Sequence, residues 1–202
     1  MKQPKQPPVR KNDDLTLEIE ALTGEGQGIA RVQGYAVFVP GALPGECIRA
    51  HVIKVTPGYA VAKPLETLST APERVRPACS AYPACGGCTL QHLDYSSQLA
   101  LKRRIVVDAL ERLGGFSAPD VAPVRGMDDP WRYRNKGSFP FGSADGRPAF
   151  GFYAPRSHRV VEQHDCLLQP EIFRTVVDIV GRWAKHTGLP IYDETTGKGI
   201  LR

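Results

Sequence analysis

The 202-residue sequence has no apolar run near the roughly 20 residues that cross a bilayer, which excludes a membrane-spanning helix. Residues 1–11 hold no hydrophobic core of the kind a secretory signal needs, so the protein is expected in the cytoplasm. Cysteine is scarce, five in all, and in a reducing compartment its thiols are available as ligands rather than as disulfides. The glycine run at 24–28, G-E-G-Q-G, has no Lys-Ser/Thr after it and no strand-helix-strand pattern around it. That reads as a strand-to-strand turn, not a phosphate-cradling loop. Nowhere does an alternating strand-helix pattern with a glycine-rich cofactor turn appear, so a Rossmann-like doubly wound domain is expected to be absent. What remains, 42% hydrophobic and 23% charged, is the composition of an ordinary globular chain long enough for one large or two modest domains.

Against that background the stretch 79–88, C-S-A-Y-P-A-C-G-G-C, stands out. It sets Cys79, Cys85 and Cys88 in a C-x5-C-x2-C spacing, with a further cysteine at Cys166. Gly86 and Gly87 are expected to form a tight positive-φ turn that lets the sulfurs of Cys85 and Cys88 converge. Zinc sites usually present two short Cys/His pairs, whereas a compact cysteine run plus a remote cysteine suits a [4Fe-4S] cluster. The spacing favours the cluster and leaves zinc open. It is not the C-x3-C-x2-C of a cluster with an open iron, so four cysteines would close the site. Its expected role is to tie two distant stretches together, not to move electrons or catalyse.

Lys and Arg total 26 against 21 Asp and Glu, a net charge of +5 placed unevenly. Lys2, Lys5, Arg10 and Lys11 precede any acid, and residues 125–159 carry seven basic side chains against Asp128, Asp129 and Asp145. Local positive excess suits a polyanion, and equally a solvated surface.

In chain order, residues 1–12 read as a disordered basic arm. Leu15, Leu17 and Ile19 then alternate with polar residues, and runs at 29–32, 35–39, 46–55 and 59–65 follow between Pro-Gly and Gln-Gly turns. Five short strands without an intervening helix predict a small oligonucleotide-binding-like β-barrel over 13–68, with Cys47 as a core thiol. A helix is expected over 94–113, capped by Asp94 or Ser96, with Leu99, Leu101, Ile105, Val106, Ala109, Leu110 and Leu113 on its buried face. The block W-R-Y-R-N-K at 131–136 interleaves aromatics with Arg132, Arg134, Asn135 and Lys136, groups that can neutralise phosphate, stack an unpaired base or pair with a base edge. A hairpin turning at 143–146 and a strand at 159–162 precede Cys166. His92, His158 and His164 are read as hydrogen-bonding neighbours rather than metal ligands. Pro170 opens a last helix whose face should bury Ile172, Phe173, Val176, Val177, Val180 and Trp183. The expected fold is therefore α+β, a barrel followed by an α/β central domain over 69–202.

Several motifs carry a resemblance. G-E-G-Q-G-I-A-R, V-F-V-P-G-A-L-P-G-E and Y-A-V-A-K resemble the TRAM domain, a small RNA-binding barrel. R-V-R-P-A-C-S-A-Y-P-A-C-G-G-C-T-L-Q-H-L, W-R-Y-R-N-K and G-F-Y-A-P-R-S-H-R-V-V-E-Q-H-D-C resemble the bacterial RNA uracil-C5 methyltransferases that act on large-subunit ribosomal RNA. The resemblance implies a [4Fe-4S] cluster on Cys79, Cys85, Cys88 and Cys166, and RNA contacts from Arg132, Arg134, Asn135 and Lys136. It also implies an S-adenosylmethionine-dependent activity whose nucleophile and cofactor site lie in a C-terminal domain. That domain is expected to be missing from this sequence, whose central domain reads as incomplete at its C-terminal end. The chain is thus expected to be a monomer that binds RNA and transfers no methyl group, either as part of such an enzyme or as a free-standing iron-sulfur RNA-binding module. Transfer RNA is the alternative substrate.

Overall fold

A computed structural model describes residues 6–144 and 147–202. The chain forms two compact units, one from the sequence up to Arg76 together with Thr89–Arg125, the other from Pro77–Cys88 together with Gly126–Arg202. This division does not follow the expected linear boundary between 68 and 69. The segment that carries the first helix groups with the barrel.

The barrel has six strands: β1 Asp14–Glu18, β2 Ala21–Leu22, β3 Gln27–Val32, β4 Tyr35–Pro40, β5 Cys47–Val55 and β6 Tyr59–Ser69. They hydrogen-bond in the order β1-β5-β6-β4-β3-β2, with β4 and β6 parallel and the other pairs antiparallel. The two ends of that order belong to one stretch of chain. Ile19 N–H donates to Glu46 C=O at 2.9 Å on the β5 side, and Glu20 N–H donates to Ile29 C=O at 2.8 Å on the β3 side, so a single bend joins both sheet edges. The interior follows from strand alternation: Leu17, Val37, Val39, Ile48, Ala50, Val52, Ala60 and Ala62 point inward, all but Leu17 small or β-branched residues that fill a narrow barrel.

Three details differ from the sequence reading. Val9, inside the arm expected to be disordered, is buried in the barrel core, and Asn12 N–H donates to Val52 C=O at 2.8 Å; residues 1–5 lie outside the described residues. Apolar content, not the flanking charge, decides order there. Cys47 starts β5 only half-buried, its N–H on Ser69 Oγ at 3.1 Å, and is no core thiol. The short strand β2 was not expected, because two residues carry no periodicity.

Helix α1, Tyr95–Arg112, begins where the Asp94 carboxylate accepts from Ser97 N–H at 3.0 Å. Of its residues only Val107 is buried, while Ile105, Val106 and the C-capping Leu113 are exposed. The expected apolar face is largely uncovered within its unit. In the second unit β7 Phe141–Ala144, β8 Arg147–Tyr153 and β9 Val160–Glu162 form an antiparallel sheet. The turn residues Asp145 and Gly146 lie outside the described residues. Helix α2, Ile172–Thr187, ends on a left-handed Gly188 and buries Val177, Gly181 and Ala184, with the Phe150 ring against Gly181. Ile172, Val176 and Trp183 of the expected buried face are exposed.

Candidate functional site

The cysteine segment belongs to the second unit, as does Cys166. Its turns are local: Tyr82 N–H donates to Cys79 C=O at 3.2 Å and Cys85 N–H to Ala81 C=O at 2.8 Å. Neither Gly86 nor Gly87 adopts positive φ, contrary to the expected turn. Glycine is needed at 86 for close approach instead. Gly86 N–H donates to Tyr153 C=O at 2.9 Å, and a Cβ there would stand 2.8 Å from that same oxygen. The backbone of the loop is thus seated directly on the end of β8.

None of the five cysteines is in a disulfide, and each is half-buried. Burial pushes the Cys85 thiol up, the Gly87 N–H at 3.3 Å from its sulfur opposes that, and the charges of Cys79 and Cys166 push it up further. Among the described residues no set of three or more His, Cys, Asp or Glu side chains is arranged to hold a metal ion. The histidines point elsewhere: His158 Nδ1 meets Glu194 at 2.6 Å, and His164 lies between Asp178 at 3.0 Å and Glu162 at 3.3 Å.

The block at 131–136 is irregular rather than a strand, and it divides in two. Tyr133, Arg134, Asn135 and Lys136 are exposed, whereas the Arg132 guanidinium turns inward to grip Asp165 at 2.5 and 3.1 Å. The Arg132 hydrogen bond holds the Asp165 carboxyl below the usual range against the opposing effect of burial.

On the barrel, strand alternation that buries Val37 and Val39 turns Phe38 outward. Phe38 meets Tyr59 edge to face at 5.5 Å between ring centroids, and Lys54 Nζ stands 6.0 Å from the Tyr59 ring. Aromatic planes beside a cation form a platform for an unpaired base. Sequence reasoning missed it, although the signal was present in two outward aromatics on strands that pair at Val61 and Phe38.

Beneath the barrel's end lies a buried ionic group. The Glu46 carboxylate, fully buried, accepts from Nε and Nη2 along one edge of the Arg74 guanidinium and from Leu43 N–H at 2.8 Å. Burial would raise the Glu46 carboxyl, but the Arg74 and Leu43 hydrogen bonds outweigh it and hold it below its ordinary value. His92, also buried, is pushed down to about 4, first by burial and then by the Arg74 charge, with Glu46 opposing.

Residues 8–65 match the family model of the TRAM domain. Relatives extend the likeness beyond this TRAM barrel. The chain is 44% identical over 197 residues to an uncharacterized RNA methyltransferase of Halalkalibacterium halodurans, covering 98% of this chain and 43% of that protein. It is 42% identical over 195 residues to one of Clostridium tetani, covering 96% and 42%. The chain thus spans about two-fifths of the length of these relatives. Its fold resembles the tRNA (uracil-54, C5)-methyltransferase of Pyrococcus abyssi, solved with S-adenosyl-L-homocysteine, at a TM-score of 0.67 and 24% identity over 93% of this chain and 41% of that one.

Proposed function

We propose that this chain supplies the RNA-docking and cluster-bearing part of an S-adenosylmethionine-dependent RNA uracil-C5 methyltransferase. Ribosomal RNA is its substrate, and the protein acts as a cytoplasmic monomer. What supports the reading is that one unit holds both the 79–88 cysteine segment and Cys166, with Gln163 Nε2 3.7 Å from Cys79 Sγ and 2.9 Å from Asp165 C=O, in a chain whose residues 8–65 match the TRAM domain. Cys79, Cys85, Cys88 and Cys166 would hold a [4Fe-4S] cluster, which cross-links the loop at 79–88 to the segment after β9. S-adenosylmethionine would supply the methyl group in the whole enzyme, and no catalytic residue is assigned within these residues.

RNA is held by the chain's own groups. The Phe38–Tyr59 platform stacks an unpaired base beside Lys54, while Arg134 and Lys136 neutralise phosphate and Asn135 meets a base edge. Anaerobically purified protein is expected to carry about four irons per chain. Fluorescence anisotropy should show tighter binding to a 23S ribosomal RNA fragment than to transfer RNA, and Phe38→Ala or Arg134→Ala with Asn135→Ala should weaken it without loss of iron. Stoichiometric zinc with no iron sinks the cluster. Equal affinity for both RNAs sinks the substrate assignment.

A further inference from the structure

We infer that Arg132, which sequence reasoning assigned to RNA, is a positioning residue that fixes the loop carrying the Cys166 sulfur. Its guanidinium forks onto the Asp165 carboxylate at 2.5 and 3.1 Å, and the same Nη1 reaches Cys166 C=O at 3.1 Å and Gln169 C=O at 3.0 Å. Its backbone N–H donates to Leu167 C=O at 2.9 Å, and Arg134 N–H takes Leu168 C=O at 2.7 Å. Every residue from 165 to 169 is therefore tied to Arg132 or Arg134. Arg132 sits at φ 55°, a left-handed conformation that a side-chain-bearing residue keeps only where its surroundings fix it. From the other side Gln163 Nε2 donates to Asp165 C=O at 2.9 Å while standing 3.7 Å from Cys79 Sγ, so the two cysteine-bearing segments share one hydrogen-bonded frame.

Only arginine can make this set of bonds, because a planar fork serves a carboxylate with two donors and has others left for carbonyls. Lysine keeps the charge that a phosphate would feel and loses the fork. The two roles of Arg132 therefore separate in one substitution. A residue that contacts RNA tolerates Arg132→Lys with its iron intact, and a residue that holds the Cys166 loop does not.

The inference rests on the four-thiol reading above, and the test keeps the two apart. The full chain, its Arg132→Lys variant and its Asp165→Asn variant are compared for the rate of iron release to a chelator. In the metal-free proteins, the ratio of Cys166 to Cys79 alkylation by iodoacetamide is read by mass spectrometry. Arg132→Lys is expected to release iron about tenfold faster, the usual size of losing a partner that orients a metal ligand. The Cys166-to-Cys79 ratio should rise in both variants, with Asp165→Asn covering the case in which Arg132→Lys folds poorly. An unchanged release rate and an unchanged ratio in both variants overturn the assignment. A wild-type protein that binds no iron overturns the cluster instead, and the alkylation ratio still decides whether Arg132 positions Cys166.

Discussion

At the scale of single residues, the groups that matter most in the first unit are Glu46, Arg74 and His92. Breaking a buried ion pair leaves an uncompensated charge, so Glu46→Gln should destabilise the barrel unit by about 3 kcal/mol, read as a shift in its urea midpoint. His92 titrates near 6.5 when unfolded and about 4 when folded. Between those values the unfolded chain holds a proton that the folded chain lacks. The stability His92 confers is therefore full above pH 6.5 and lost as pH falls through 4, roughly 3 kcal/mol for such a shift. The depressed Glu46 acts in the same direction. His92→Gln should flatten the acid limb of the stability profile, and an unchanged limb would show that His92 is not its source. Neither role was legible in the sequence. Glu46 reads only as the first residue of the strand run 46–55, and its partner Arg74 lies too far along the chain for any local pattern to link them.

Elements were more legible than their faces. Strand alternation located the barrel strands, and Asp94 marked a helix start as its chemistry requires. The buried side of each helix was not fixed by periodicity, because the apolar arc of α2 is wider than its contact. Which part of that arc is covered depends on where Phe150 meets Gly181, a tertiary fact. The cysteine loop shows the same limit: its two glycines were visible, but the reason for Gly86 is the carbonyl of Tyr153, remote in sequence. Gly86→Ala is expected to lift the loop off β8 and abolish iron binding while the far-ultraviolet signal of the barrel persists, since the clash is with backbone that cannot rotate away. Retention of full iron by Gly86→Ala would show that the loop does not need that seat.

At the scale of the whole molecule, the two units are built from interleaved stretches of sequence, which no reading from one end to the other could divide correctly. Calorimetry should resolve two transitions, with Cys166→Ser lowering one and leaving the other in place. For domains of this size each kcal/mol lost corresponds to roughly 4–8 °C. A single transition that moves as one would mean the units melt together.

The same interleaving has a consequence for biosynthesis. Cys79, Cys85 and Cys88 leave the ribosome well before Cys166 is translated, and at ordinary elongation rates the wait is on the order of ten seconds. Throughout that interval every barrel strand has been made, but three of the four thiols proposed to act together sit in a nascent polypeptide whose fourth has yet to be made. On the four-thiol reading proposed above, the inorganic core would enter late in the life of each copy, and oxidants or competing ions would have their best opportunity during translation rather than after it.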